Sequence, residues 1–444
     1  MINKRCERNI PLEVEKVHGY GVKSKCTLDL HHLEAFMEYL HRELERKFTE
    51  ASRFFKAVLV IGARQVGKST MLKHLAESEN RTIVSMDDDH NRELAKSDPK
   101  LFFQTYKPPI LIDEIQKAPE LLEHIKIICD ESDEKGRFWL TGSQRKKLME
   151  RSRETLAGRL GILRLYGLSQ REKAGVLNPV PLDFTPDCLT DRQKQMPEND
   201  IHDVFKHIWE GGFADILSAS NEMAQTYYQS YIDNYLVADA VNDEGISDVA
   251  GFKRFIRASA ALTGNLVNYR TLGEAAGVSD VTAKKWLDIL QDMDVVYLLE
   301  PYSNNELQRL IKTPKLYFCD TGLCAFLTRW LTPDSLRDGA AGGHFFENYV
   351  VMELVKNYSY AENSALLSFY RDTKAKEIDV FVEENGKIHP LEIKKSANPD
   401  KKEIKKFDII DKTTLIKGAG GIVCMYNRPF PIDADNYLIP SNII

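Results

Sequence analysis

One short stretch constrains this chain more than any other. Gly62-Ala-Arg-Gln-Val-Gly67-Lys68-Ser69 fits G-x-x-x-x-G-K-[ST] in full. A β-rich apolar run, Ala57–Ile61, precedes it and a helical run, Lys68–Glu77, follows. Strand, glycine loop and helix in that order turn backbone N–H groups and a helix N-terminus toward an anion, so the segment is built for phosphates. Gly62, Ala63, Arg64, Gln65, Val66, Gly67, Lys68, Ser69 and Thr70 are therefore the expected nucleotide-binding residues. Lys68 would reach the β- and γ-phosphates and Ser69 would place its hydroxyl on Mg²⁺, which makes ATP and Mg²⁺ the expected cofactors.

A second segment completes the chemistry. Ile110-Leu-Ile-Asp113-Glu114 reads as a buried strand ending in two carboxylates, and ligands bind at the C-terminal edge of parallel strands. Asp113 is expected to hold the metal and Glu114 to polarise the attacking water. Phe138-Trp-Leu-Thr141-Gly-Ser143 offers hydroxyls for the γ-phosphate, and Arg159 is a candidate arginine finger for a neighbouring copy, which implies a homo-oligomer.

Strand and helix signals alternate from Ala57 to Glu172, with strands at Ala57–Ile61, Thr82–Met86, Ile110–Ile112, Phe138–Leu140 and Ile162–Leu165. That is the pattern of a parallel α/β sheet. With 444 residues the chain is too long for one core, so a multidomain α/β protein is expected. We divide it into an N-terminal helical arm (1–52), a P-loop ATPase core (53–172), a helical lid region (173–244), a winged-helix-like domain (245–335) and a C-terminal α/β domain (340–444). The arm rests on apolar positions Leu33, Phe36, Met37, Leu40 and Leu44 at helical spacing within 28–50. The polar stretch Asn178–Asp200 reads as a surface loop, and Asp203–Ala240 and Gly251–Leu266 as helices.

Charge and cysteine usage exclude some classes. No apolar run is long enough to span a bilayer, no signal peptide is visible, and the seven cysteines form no CxxC pair. A cytoplasmic location with reduced thiols is expected. The net charge of −6 does not suggest nucleic acid, but binding depends on local patches, and 145–164 and 390–406 are locally basic. Tyr269–Pro301 reads as a helix-turn-helix. Thr271–Ala276 is its first helix, Ser279 the N-cap of the second (Val281–Met293), and Val295–Leu299 a strand that begins a wing. Lys284, Lys285 and Trp286 could face DNA or another domain.

These residues resemble a family. The P-loop, Leu111-Ile-Asp-Glu-Ile-Gln, Leu140-Thr-Gly-Ser and Leu156-Ala-Gly-Arg look like the bacterial and archaeal AAA-type ATPases that carry a C-terminal domain of unknown function. The likeness continues through Gly211-Gly-Phe, Tyr231-Ile-Asp-Asn-Tyr, Lys315-Leu-Tyr-Phe-Cys-Asp-Thr-Gly-Leu and Phe345-Phe-Glu-Asn. Ser69 stands where Thr is commoner and Ala63 where Pro is frequent, and neither change removes a phosphate or metal ligand.

The C-terminal domain carries a second constellation, Glu377-Ile-Asp379 through Leu391-Glu392-Ile-Lys394. Asn385-Gly386 is the preferred two-residue type I′ turn. If it closes a hairpin, Asp379 falls opposite Glu392 at a non-hydrogen-bonded position, with Lys394 on the same face. Opposed carboxylates repel unless a cation lies between them, and hard oxygen ligands suit Mg²⁺. This D…E-x-K arrangement resembles the PD-(D/E)xK phosphodiesterases of restriction-endonuclease-like fold. The resemblance implies Asp379 and Glu392 as metal ligands, Lys394 beside the nucleophile, and Glu347 as an assisting carboxylate from the preceding helix. Pro390 lacks an N–H to donate, so its outer side should be an edge or a bulge. Two functions follow. The first is a DNA-acting Mg²⁺-dependent ATPase with a possible second activity as a DNA endonuclease. The other is an ATP-driven switch whose silent C-terminal domains bind a protein partner.

Overall fold

The computed structural model describes residues 39–143, 155–176, 179–302, 313–362, 365–372, 376–412 and 416–444. Residues 40–444 form one compact unit. Leu33, Phe36 and Met37 of the expected arm lie outside the described residues. Among the described residues the arm's helix is Leu44–Phe54, which buries Leu44 and Phe48; Leu40, before it, is exposed.

The first sheet contains β1 (Ala57–Ile61), β2 (Thr82–Ser85), β3 (Ile110–Asp113), β4 (Phe138–Gly142) and β5 (Leu160–Arg164). Its order is β2-β3-β4-β1-β5, and all its pairs are parallel. β1, β3 and β4 are buried along their whole length, which is why each reads as an unbroken apolar run rather than an alternation. The expected strand set is therefore present, with boundaries shifted by one or two residues.

Within the stretch expected to be a loop, Pro186–Gln195 is a helix. Thr185 caps it and Pro186 opens it, while Cys188, Leu189 and Arg192 are buried. The capping signal was in the sequence, but the few apolar residues hid it. Helices Ile201–Glu210, Asn221–Tyr231, Ala238–Glu244 and Val249–Ala261 follow, with a π-helical turn at Ile232–Val237 joining the second and third.

The helix-turn-helix is present as helices Tyr269–Ala276 and Asp280–Asp292. Ser279 accepts the Thr282 N–H as N-cap. Strands β6 (Asn265–Leu266), β7 (Val296–Leu299) and β8 (Lys315–Phe318) make a small antiparallel sheet in the order β6-β8-β7. Trp286 is not a surface reader: it is buried edge-on against Phe252 and Phe255, whereas Lys284 and Lys285 are exposed.

Helix Gly342–Tyr360 leads into the C-terminal sheet: β9 (Leu366–Arg371), β10 (Glu377–Glu384), β11 (Lys387–Lys394), β12 (Ile416–Lys417), β13 (Gly420–Cys424), β14 (Phe430–Pro431) and β15 (Asn436–Pro440). The order is β14-β15-β13-β11-β10-β9, with β12 also on β11. Pro390 falls where β11 passes from β12, paired at Lys387 and Ile388, to β13, paired from Leu391. The missing N–H thus meets a gap in the ladder, as its chemistry requires.

Candidate functional sites

The P-loop joins β1 to helix Lys68–Ala76. Two glycines are needed for its path. Gly62 has φ +154° and a Cβ there would lie 2.1 Å from the Leu165 carbonyl oxygen, and Gly67 has φ +92°. From behind, the buried Arg42 guanidinium donates to the carbonyls of Val66 (2.6 Å) and Tyr166 (2.7 Å) and to Glu172 (3.0 Å). This brace is not legible in the sequence, because the three partners lie 24 to 130 residues away.

Lys68 is buried and donates to the carbonyls of Gly62 (3.0 Å) and Ala63 (2.7 Å). Burial pushes its ammonium below the ordinary lysine range, opposed by the nearby Glu114 carboxylate. Ser69 Oγ donates to Asp113 Oδ1 at 2.5 Å, and Thr141 Oγ1 donates to the same oxygen at 2.6 Å. Lys73 Nζ stands 3.6 Å from the other oxygen. The hydroxyl and carboxylate oxygens of Ser69 and Asp113 form the hard-ligand set that Mg²⁺ takes beside a phosphate. Thr70 lies exposed in the first turn of the helix.

Glu114 sits just beyond β3 at φ +59°, and its N–H donates to Thr141 Oγ1 at 2.9 Å. Its carboxylate accepts from Gln116, which also donates to Ser143 at 3.0 Å. Thr141 and Ser143, expected on the γ-phosphate, thus position Asp113 and Glu114. Gln116 had been noticed only as part of a motif. Arg159 is at the opposite sheet edge: its carbonyl accepts from Ala57 at the start of β1, and its guanidinium pairs with Asp130 at 2.5 Å. The P-loop follows the other end of β1.

The variable positions of the loop are held by the π-helical turn and the α-helices on either side of it. Arg64 makes two bonds to Asp239, 2.6 and 2.9 Å. Gln65 accepts from Tyr227 at 2.8 Å and donates to Tyr235 at 3.2 Å.

In the C-terminal domain Val380 pairs with Leu391 and Glu384 with Lys387, the register that the Asn385-Gly386 turn predicts. Asn385 (φ +50°) and Gly386 (φ +75°) are both left-handed, as a type I′ turn requires. The ladder ends one step before Asp379 and Glu392, because Asp379 Oδ2 accepts the Ile393 N–H at 2.8 Å in place of a backbone partner. Lys394 and Lys406 both donate to Glu392 Oε1, at 2.5 and 2.9 Å. Glu392 Oε2 is buried without a hydrogen-bond partner, which leaves one oxygen for a cation. Among the described residues, no group of three or more His, Cys, Asp and Glu side chains is gathered as a metal site.

Glu347 does not stand free beside that pair. It accepts from Lys315 (2.9 Å) and Tyr317 (2.7 Å) of β8. Lys315 also pairs with Glu377 at 2.5 Å and lies 3.8 Å from Asp379. Burial, then Glu347 and Glu392, push Asp379 up to about 7. In the sequence Lys315 is marked only as the first residue of a stretch that resembles the family. In the basic stretches Arg164 pairs with Asp294 at 3.3 Å and Lys395 donates to the Arg337 carbonyl, whereas Lys401, Lys402 and Lys405 are exposed. Residues 145–154 of the first stretch lie outside the described residues.

Comparison with known proteins follows this layout. Residues 54–174 match the AAA domain model, 201–334 a domain of unknown function (DUF8612), and 342–444 another (DUF4143). An uncharacterized protein of Mycobacterium tuberculosis and one of Mycobacterium bovis are each 26% identical to this chain over 408 residues, covering 91% of it and 84% of their own length. Among solved structures, the Walker-type ATPase PABY2304 of Pyrococcus abyssi aligns with TM-score 0.40 at 13% identity, covering 64% of this chain and 94% of its own. The RuvB Holliday junction branch migration motor of Thermotoga maritima aligns with TM-score 0.29 at 18% identity, over 57% of this chain and 88% of its own. Among the described residues no helix is long and apolar enough to cross a membrane. The chain thus joins a P-loop segment that matches the AAA domain, 54–174, to a C-terminal segment that matches a domain of unknown function, 342–444.

Proposed function

We propose that this protein is a Mg²⁺-dependent ATP hydrolase that acts on DNA. Hydrolysis rests on one observation: Lys68, Ser69, Asp113 and Glu114 converge at the C-terminal ends of β1 and β3, which flank β4, around a loop whose shape only glycines allow. Lys68 would leave its two carbonyls for the phosphates. Ser69 and Asp113 would hold Mg²⁺, which supplies charge neutralisation at the phosphate oxygens when bound. Glu114, oriented by Thr141 and by Gln116 with Ser143, would take a proton from the attacking water.

Action on DNA is supported by the hairpin register, which sets Asp379, Glu392 and Lys394 at one end of a sheet, next to β8 of the small sheet that accompanies the helix-turn-helix. In this reading Asp379 and Glu392 hold the metal at a phosphodiester and Lys394 stands by the nucleophile. The test is cleavage of linear, single-stranded and branched DNA with Mg²⁺ or Mn²⁺, with and without ATP, for wild type and Lys394→Ala. Cutting that vanishes in the variant supports the reading; no cutting by wild type, with ATP turnover unaltered by DNA, sinks it.

A specific observation favours a second reading, a switch with a protein partner. Asp280, Asp288 and Asp292 accompany Lys284 and Lys285 on the second helix of the helix-turn-helix, and lysines already neutralise the C-terminal carboxylates. That reading expects slow ATP turnover raised by a protein and indifferent to DNA.

A further inference from the structure

We propose that Arg64 is the arginine this chain supplies to the terminal phosphate of its own nucleotide, held in reserve by Asp239 in the first turn of the helix that follows the π-helical turn. The inference rests on the ATPase reading and adds a residue and a control to it.

Arg64 follows Gly62 by two positions, in the loop that would surround the phosphates. It lies within electrostatic reach of both Lys68 and Glu114, the groups on either side of the scissile bond in the proposed reaction. Its partner is not in the ATPase core. One guanidinium edge, Nε and Nη2, goes to Asp239, and the same group lies over the Tyr235 ring with its carbon 5.5 Å from the centroid. A guanidinium that grips a carboxylate by two parallel bonds fits two phosphate oxygens equally well. The pair is only partly buried, so solvent can assist the exchange.

The π turn explains how the holder is built. Tyr227, Tyr231, Tyr235 and Asp239 recur every fourth residue. On an α-helix each such step overshoots a full turn by about 40°, so four residues would drift off any one line. The wider turn at Ile232–Val237 rotates less per residue and brings Tyr235 and Asp239 back over the loop. Tyr227 and Tyr235 then hold Gln65, while Asp239 holds Arg64. Asp233, in the same turn, pairs with Lys253 at 2.6 Å on the helix that packs against the helix-turn-helix. Movement of that domain therefore pulls on the stretch that holds Arg64.

In the reaction, a water oxygen bonds to the γ-phosphorus and the bond to the β,γ-bridging oxygen breaks. ADP leaves with that electron pair, and the water's proton passes to Glu114. Charge grows on the oxygens that Arg64 would meet once Asp239 lets go.

The experiment measures kcat, KM and the dissociation constants of fluorescent ATP and ADP for full-length wild type, Arg64→Ala, Asp239→Asn and the double variant. Arg64→Ala is expected to lower kcat by about 10²-fold or more and to abolish the preference for ATP over ADP, with ADP binding retained as evidence of folding. Asp239→Asn should raise kcat and tighten ATP, and the double variant should behave as Arg64→Ala. If Arg64→Ala does not fold, Arg64→Lys reads the same ATP-to-ADP ratio. Equal losses in both single variants, or an unchanged ratio without Arg64, would overturn the proposal. Wild type that neither binds nor hydrolyses ATP would instead remove the ATPase reading beneath it.

Discussion

The two carboxylate sites differ in what keeps their charges company. At the P-loop, Lys68 rests on two carbonyls and Asp113 on two hydroxyls, with Lys73 at 3.6 Å. In the C-terminal domain charge meets charge. Glu392 takes two lysines, and Lys315 sits against Glu347 and Glu377 beside Asp379. Neutral partners give way to a phosphate or a cation at little cost, whereas a buried ammonium must be displaced. The first site is arranged to receive a ligand; the second is neutralised from within.

Lys315 gives the sharpest way to break that contrast. Its side chain is 4% exposed, and Lys315→Met leaves the carboxylates around it without their cation. We expect a loss of about 3–5 kcal/mol, seen as a lowered unfolding midpoint. Mn²⁺ or Mg²⁺ should restore part of that loss in the variant and do little for wild type. A variant as stable as wild type would mean that the acids are solvated, and the contrast between the sites would fall.

At the other site, Lys68→Ala should cost little stability, because the two carbonyls it leaves lie at the loop. It should lower ATP turnover by on the order of 10²–10³-fold. Measuring turnover and thermal midpoint together separates the sites: the P-loop lysine acts on the ligand, the C-terminal lysine on the fold.

What the sequence revealed follows the same division. Gly62 to Ser69, Asp113 and Glu114 were legible because strand, loop and turn chemistry lie within a few residues of one another. The hairpin register was legible for the same reason, since Asn385-Gly386 fixes it locally. Arg42, Lys315 and Asp239 were not, because each acts on a residue far along the chain: Arg42 on Glu172, Lys315 on Glu377, Asp239 on Arg64. The direction Trp286 faces was open in the sequence because its helix has charge on both sides of it, and only the packing of Phe252 and Phe255 decides which face is inward. The helix at Pro186–Gln195 was missed because polar residues dominate its sequence, although Thr185 and Pro186 mark its start.

Asp379 offers a smaller, pH-dependent probe. Its folded pKa of about 7 lies above the ordinary 3.8, so the folded state holds the proton more tightly. The associated stability is fully present below about pH 4 and is lost as pH rises through 7. Asp379→Asn cannot ionise, so its midpoint should exceed that of wild type above pH 7, by on the order of 1–2 kcal/mol, and the difference should shrink toward pH 5. Excess divalent cation should reduce the wild type's deficit at high pH if Asp379 and Glu392 accept a metal. A gap independent of pH would show that Lys315 already keeps Asp379 ionised.

The smallest expected effect tests whether either site serves DNA. Lys284 and Lys285 are exposed on helix Asp280–Asp292, with acidic neighbours that weaken any phosphate contact. Replacing both with Ala should flatten the dependence of log affinity on log salt by about 2 if each touches a phosphate, with a loss of about 1 kcal/mol or less at moderate salt. Lys394→Ala serves as the reference, because its lysine points to Glu392 rather than to the helix-turn-helix. A salt slope that neither variant alters would take DNA away from both surfaces. The C-terminal lysines would then be neutralisers alone, and the P-loop would be the one site of the two that meets an external phosphate.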